Sequence, residues 1–112
     1  MSESNMPLEV TVFEARDRLA TRPDETLLLD VREANELAIC GVPAARHIPM
    51  GQVPANLDQL PRDRDILVMC HHGVRSLRVT YFLRQHGFDR VANVAGGIDA
   101  WAEQIDPTLA RY

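Results

Sequence analysis

The chain has 112 residues, which is enough for one domain and too few for two independent hydrophobic cores. Hydrophobic residues make up 46% and charged residues 25%, as in ordinary globular domains, so a disordered or low-complexity chain is excluded. The formal net charge is −4, and the 12 basic residues are all arginines without a basic block, so nucleic acid is not an expected partner.

The ends of the chain and its cysteine content indicate a compartment. No run approaches the roughly 18 to 20 apolar residues of a membrane span, and Met1–Asn5 is acidic and polar, unlike a secretory signal. If the chain is complete, we expect a cytoplasmic protein with no membrane partner. Residues 1–112 are expected to form one domain with a flexible N-terminus over residues 1–8.

The first half of the chain predicts helices and strands in alternation. Thr11 and Glu14 have the spacing of a capping box at the start of a helix over Thr11–Ala20. Leu27–Val31 is a short apolar run that suits a strand buried on both faces. We further expect a short helix over Ala34–Ile39, an edge strand at His47–Ile48 and one or two helical turns within Pro54–Leu60.

The second half continues this alternation. Ile66–Cys70 is apolar throughout and predicts a central strand, and a helix follows from about Ser76, as N-cap, to Gly87. Val91–Val94 predicts another strand and Ile98–Gln104 a last helix. The pattern predicts an α/β fold, a small parallel sheet of about five short strands with helices on both faces. Ligands of such sheets lie outside the carboxyl ends of the strands.

Cys70 ends the central strand, and a helix begins a few residues later. The connection, His71–Arg75, turns backbone N–H groups inward into an anion-binding nest, with Gly73 supplying backbone freedom. The first helical turn adds its free N–H groups and the positive end of its dipole, and Arg75 adds a charge. Thiols in such places have pKa values lowered from about 8.5 to roughly 3.5–7.5. Cys70 is therefore a candidate thiolate nucleophile, provided that it ionises near neutral pH and is open to solvent.

Both cysteines and both loop histidines also have plain structural interpretations. A free cysteine at a strand end is often an inert small hydrophobe, although the loop around Cys70 favours a functional role. His71 and His72 are more often solvated loop residues than bases, and no Cys or His pair has zinc-site spacing, so no metal is expected. Cys40 is expected to be structural, the alternative being a resolving thiol for Cys70.

Framework roles are expected for Asp30 and Arg32 beside the site. Asp30 can accept backbone N–H bonds at its strand end, and Arg32 can pair with Glu36 four residues later for a few tenths of a kcal/mol. Trp101 has the spacing of a core contact, and Arg78 is expected to point to solvent.

The loop from Cys70 to Ser76 resembles the active-site loop of a single-domain rhodanese, a thiosulfate:cyanide sulfurtransferase. The resemblance extends from about Val10 to Tyr112, and one stretch departs from it, since Gly41 and Ala44 stand where the family has His and Gly. Three further segments match the family's pattern: Leu29-Asp30-Val31-Arg32 with Glu36, His47-Ile48-Pro49, and Gly96-Gly97-Ile98-Asp99-Ala100-Trp101.

The resemblance implies a rhodanese-like fold and a sulfurtransferase that needs no cofactor. Cys70 would take the outer sulfur of thiosulfate as a persulfide and release sulfite, and cyanide, a thiol or a protein acceptor would remove that sulfur. Arg75 would help to bind the small anionic donor. The residues expected to cradle the substrate, mainly through their backbone, are His71, His72, Gly73, Val74, Arg75 and Ser76.

Three alternatives remain open. Phosphatases and arsenate reductases also place Cys and Arg around an anion loop, but they need five intervening residues, and only four separate Cys70 from Arg75. A rhodanese-like domain without turnover could serve as a binding module. A persulfide carrier would use the same cysteine chemistry and differ only in handing its sulfur to a partner protein.

Overall fold

Residues 6–112 are described in a computed structural model of the protein. Five strands are present: β1 (Glu9–Val10), β2 (Thr26–Asp30), β3 (Arg46–His47), β4 (Asp65–Met69) and β5 (Val91–Val94). The α-helices are α1 (Val12–Thr21), α2 (Ala34–Leu37), α3 (Val74–Gln85) and α4 (Gly97–Gln104), and 3₁₀ turns lie at Pro23–Glu25, Met50–Gln52 and Pro54–Gln59.

The strands form one parallel sheet in the order β1-β5-β4-β2-β3. The predicted α/β class and parallel sheet are therefore confirmed, with β4 central and β3 at an edge. Sequence reasoning missed β1, because two residues carry no readable periodicity. None of the helices within residues 6–112 is long and apolar enough to cross a membrane.

Strand β4 separates two hydrophobic clusters because all five of its residues are buried and alternate between the faces of the sheet. Ile66, Val68 and then Cys70 contribute to the cluster under α3, which supplies Val79 and Leu83. Leu67 and Met69 contribute to the cluster under α1 and α4, where Trp101 packs as expected. Cys70 thus extends a strand that is held firmly from both sides.

The capping box predicted for the first helix is present. The Glu14 backbone N–H donates to Thr11 Oγ1 at 3.1 Å, and the Thr11 backbone N–H donates to Glu14 Oε1 at 2.9 Å. Of the segment predicted to be flexible, residues 1–5 lie outside the described residues. Residues 6–8, the rest of that segment, are hydrogen-bonded to the domain. Arg84 donates to the carbonyls of Met6 and Pro7, and the Leu8 carbonyl accepts from Asn93 N–H.

Candidate active site

The loop after β4 reverses direction at Gly73, which is the N-cap of α3. Gly73 has φ +104°, a left-handed conformation that side chains with a Cβ rarely adopt. The helix starts at Val74, so the predicted N-cap role of Ser76 is wrong: Ser76 lies inside the first turn. The earlier start has a functional consequence, because it turns both the backbone and the hydroxyl of Ser76 towards the cysteine.

Three hydrogen bonds converge on the Cys70 sulfur. Gly73 N–H donates at 3.1 Å, Ser76 N–H at 3.4 Å and the Ser76 hydroxyl at 3.2 Å. Burial alone raises the pKa of the Cys70 thiol, but the Ser76 hydroxyl and the backbone N–H groups of Ser76, Gly73 and His72 outweigh it and lower the pKa below the usual value. Of the residues predicted to form the cradle, Gly73 and Ser76 are the ones with hydrogen bonds to the Cys70 sulfur among the described residues.

Cys70 is more enclosed than the sequence led us to expect. It exposes only 1% of its surface, whereas the hypothesis called for a thiol open to solvent. The reason is its position: it continues a fully buried strand, and its sulfur points into the helix start that supplies its donors. The groups that cover Sγ must therefore move before a sulfur donor can contact it. Val74, at the outer edge of the loop, is by contrast 66% exposed.

Asn93 on β5 is a site residue that sequence reasoning missed. Its Oδ1 accepts from the Ser76 hydroxyl at 2.5 Å, and its Nδ2 donates to the Gly73 carbonyl at 3.1 Å. Because a hydroxyl has one proton, Ser76 donates either to Asn93 or to the sulfur at any moment, and an anionic sulfur favours the second. The sequence feature that could have identified Asn93 is that it is the one polar residue within the apolar run Val91–Val94.

The start of α4 holds the other side of the loop. Ile98 N–H donates to the Cys70 carbonyl at 2.9 Å and Asp99 N–H to the His71 carbonyl at 3.0 Å. Gly97 permits this approach, because a Cβ there would overlap both carbonyl oxygens, and its φ is +57°. The Gly-Gly segment is thus the surface on which the cysteine loop rests.

Arg75 does not point an unpaired charge at the sulfur. Its guanidinium makes a two-point ion pair with Glu36 on α2, at 2.6 and 2.8 Å. This pairing lowers the Glu36 pKa from 4.5 to about 2 and raises the Arg75 pKa, on which the nearby Cys70 also acts. The Arg75 side chain remains 32% exposed, so it keeps a face from which an incoming anion can be bound.

Asp30 and Arg32 are framework residues, as expected, but with a different partner arrangement. Asp30 Oδ1 accepts from the Arg32 backbone N–H at 3.1 Å, and the two side chains form an ion pair at 2.8 Å with both fully buried. The predicted Arg32–Glu36 ion pair is wrong, since Arg32 reaches only the backbone carbonyl of Glu36. Asp30 is the nearer carboxylate, and its ion pair gives the buried Arg32 guanidinium the counter-charge that it would otherwise lack.

The two loop histidines contact each other, and His71 also contacts Tyr112. The ring centroids of His71 and His72 are 3.8 Å apart with the planes tilted by 30°, and those of His71 and Tyr112 are also 3.8 Å apart with the planes only 7° from parallel. His71, His72 and Asp99 bring possible metal ligands within 4.8 Å of one another. Sequence spacing did not predict this cluster, because Asp99 comes from α4.

Cys40 and Cys70 belong to different parts of the core. Cys40 is partly buried and packs against the cluster under α1 and α4, whereas Cys70 belongs to the cluster under α3. The structure therefore gives Cys40 a packing role and does not bring it to the sulfur of Cys70.

Comparison with known proteins identifies the class. Residues 12–104 match the family described as Rhodanese-like domain, and the chain belongs to that family. A protein named sulfurtransferase from Allochromatium vinosum is 40% identical, with 83% of this chain and 86% of that one covered. Thiosulfate sulfurtransferase GlpE of Actinobacillus pleuropneumoniae serotype 7 is 36% identical, with 76% and 79% covered.

The solved structures agree with the sequence relatives. A rhodanese-like domain protein from Staphylococcus aureus superposes with a TM-score of 0.79 at 31% identity, covering 95% of this chain and 99% of that one. The single-domain rhodanese resemblance is therefore confirmed at the level of family and fold. Sulfur transfer is the activity that the names of the two sequence relatives share.

Proposed function

We propose that this protein is a sulfurtransferase that takes the outer sulfur of thiosulfate onto Cys70 and passes it to a thiophilic acceptor. The observation that carries the proposal is the convergence of Gly73 N–H, Ser76 N–H and the Ser76 hydroxyl on one sulfur atom. Such a cradle favours the thiolate over the thiol, and we propose that donors of the same loop stabilise the terminal anionic sulfur of a persulfide.

The reaction divides into two displacements. The Cys70 thiolate attacks the outer sulfur of thiosulfate, a sulfur–sulfur bond forms to Cys70, and the bond to the sulfonate sulfur breaks with its electron pair leaving on sulfite. An acceptor anion, cyanide or a thiolate, then attacks the terminal sulfur of the persulfide and regenerates the Cys70 thiolate. Charge is conserved in both steps, and ping-pong kinetics are expected.

Arg75 is the residue that we assign to the anionic donor. Its exposed face lies beside the cysteine loop, and an arginine fork suits oxyanions such as a sulfonate. Because Glu36 already neutralises most of its charge, its attraction for a dianion is moderate. The four-residue spacing between Cys70 and Arg75 disfavours phosphatase and arsenate reductase chemistry, which a p-nitrophenyl phosphate assay tests directly.

Intact-protein mass spectrometry after brief treatment with thiosulfate is the decisive experiment. We expect the wild type to gain one sulfur atom, Cys40→Ser to gain it as well, and Cys70→Ser to gain none. A gain that persists in Cys70→Ser would disprove the assignment of the nucleophile. Addition of cyanide should remove the sulfur and yield thiocyanate. A persulfide that forms but is not discharged to cyanide would instead favour the carrier role, with a protein as acceptor.

A further inference from the structure

We infer that Tyr112 is a positioning residue of the active site, whose ring holds His71 and thereby fixes the loop that cradles Cys70. The inference rests on the proposed function only in treating Cys70 as the reacting group. Tyr112 lies far along the chain from the loop and follows the last helix by eight residues, so it stands outside the four segments that carry the family resemblance.

The His71 ring depends on Tyr112 for its orientation. The two rings are stacked at a centroid distance of 3.8 Å, with only 7° between their planes. His71 Nε2 is buried and has no hydrogen-bond partner within residues 6–112, so no hydrogen bond at that nitrogen fixes the ring. Its second ring neighbour, His72, belongs to the same loop and has a side chain that is 61% exposed. Tyr112 therefore fixes the His71 ring from outside the loop, in addition to the hydrogen bond by which Asp99 N–H holds the His71 carbonyl.

Tyr112 is itself anchored at its hydroxyl. Arg32 Nη1 donates to the hydroxyl oxygen at 2.8 Å, and the hydroxyl donates to Glu36 Oε2 at 2.8 Å. Burial and the Glu36 carboxylate raise the pKa of Tyr112 to about 12, against the opposing effect of Arg32, so the proton of this second bond is retained at neutral pH. The ring is consequently fixed to two elements of the framework although 39% of the residue is exposed.

His71 is connected to the cradle of the sulfur through the loop itself. The His71 carbonyl accepts from Asp99 N–H at 3.0 Å, and two residues further on the Gly73 N–H donates to the Cys70 sulfur at 3.1 Å. Holding the His71 ring on Tyr112 adds a second restraint at the start of this short segment, and the Gly73 donor then stays directed at the sulfur.

The test is the pH dependence of Cys70 alkylation by iodoacetamide, in a Cys40→Ser background. The inflection of the rate profile gives the thiol pKa, and the limiting rate at high pH reports access to the sulfur. Arg75 and, behind it, Glu36 face the thiol from the helices, and His71 and His72 lie in the loop itself. All four are left unchanged, and the profiles are recorded over the whole pH range in which the thiol ionises.

We expect Tyr112→Ala to raise the Cys70 pKa by about one unit. A shift of this size corresponds to the free energy lost when one hydrogen bond to a charged group is weakened. Tyr112→Phe keeps the stacked ring but loses the hydroxyl bonds to Arg32 and Glu36, so its pKa shift should be clearly smaller than that of Tyr112→Ala. The matched control is Tyr81→Ala, which truncates the other tyrosine, 49% exposed on α3. Thermal melts accompany each variant, and Tyr112→Leu replaces Tyr112→Ala should the latter not fold.

The outcomes are decisive in both directions. An unchanged pKa in Tyr112→Ala would overturn the inference, as would an equal shift in Tyr112→Phe, because the hydroxyl and not the ring would then be responsible. Alkylation needs no sulfur donor, so these results are independent of the mass measurement. A wild type that alkylates as expected but forms no persulfide would refute the proposed function and leave the role of Tyr112 standing.

Discussion

The surroundings of Cys70 fall into two regions that are built in different ways. The inner cradle, formed by Gly73, Ser76 and Asn93, is buried and contains only neutral dipoles. The outer network joins the buried Arg32 to the partly exposed Glu36, Arg75 and Tyr112 through the Arg75–Glu36 ion pair and the hydrogen bonds of the Tyr112 hydroxyl.

The difference between the two regions separates two functions. Two members of the inner cradle lie three and six residues from Cys70 and donate directly to its sulfur, so the cradle sets the reactivity of the thiol. The outer network links residues 39 to 80 positions apart and touches the substrate side only through Arg75. We therefore expect changes in the cradle to alter the thiol directly. Changes in the network should alter stability, the handling of anions and, through Tyr112, the position of the loop and with it the thiol.

The largest effect is expected at the support of the inner cradle. Gly97→Ala places a Cβ against the carbonyl oxygens of Cys70 and His71 at a positive φ, so the loop must move away from α4. We expect a loss of about 3 kcal/mol or more in the free energy of unfolding, measured by urea denaturation.

The control for that substitution is Gly51→Ala. A Cβ at Gly51 would meet no atom within 4 Å, so the same chemical change should alter the free energy of unfolding by less than about 1 kcal/mol. Equal stability of the two variants would show that the loop does not depend on close contact with α4.

A smaller and more specific effect is expected from Ser76→Ala. This variant removes the hydroxyl that contacts the sulfur at 3.2 Å and leaves Asn93 Oδ1 without its donor. The Cys70 pKa should rise by about one unit, which corresponds to about 1.4 kcal/mol, and persulfide formation near neutral pH should slow by up to about tenfold. Alkylation profiles and single-turnover kinetics measure the two quantities.

Thr80→Val provides the comparison within the same helix. It also removes a buried hydroxyl, but one that donates to the Ser76 carbonyl and not to the sulfur. We expect a change in stability of about 1 kcal/mol with the Cys70 pKa unchanged. A pKa shift of the same size in both variants would show that the thiol responds to general loosening of α3.

The contrast between the regions also explains what the sequence made predictable. The β4–loop–α3 unit was predictable because strand, Cys70, Gly73 and helix follow one another within a few residues and obey local rules. The start of α3 was placed too late, because Ser76 looks like an N-cap whereas a left-handed glycine fills that position.

Tertiary contacts supplied what the sequence did not reveal. The Arg75–Glu36 pair depends on how α2 and α3 meet above the sheet, and the i,i+4 spacing of Arg32 and Glu36 suggested the wrong partner. Asn93 and Tyr112 reach the site from β5 and from the end of the chain, and no local pattern connects them to Cys70. The burial of Cys70 follows from the same packing.

The smallest effect on the thiol is expected from Glu36→Gln, which isolates the contribution of the outer network to stability. In the folded protein the Glu36 pKa is lowered from 4.5 to about 2, chiefly by Arg75. A lowered folded-state pKa means that the pair stabilises the protein above pH 4.5 and that this contribution is lost as the pH falls towards 2. The full shift corresponds to roughly 3 kcal/mol, but Arg75 is a third exposed, so we expect about 1–2 kcal/mol at pH 7.

Urea denaturation at pH 7 and at pH 3 measures this contribution, with Glu25→Gln as the control at an exposed pair with Arg22. The difference between wild type and Glu36→Gln should shrink at pH 3, whereas Glu25→Gln should match wild type at both values. The Cys70 pKa should stay the same or fall slightly in Glu36→Gln, because Arg75 then faces the thiolate with its charge less neutralised. A rise of a full unit would mean that the Arg75–Glu36 pair also holds the cradle in place, and the assignment of that role to Tyr112 alone would be wrong.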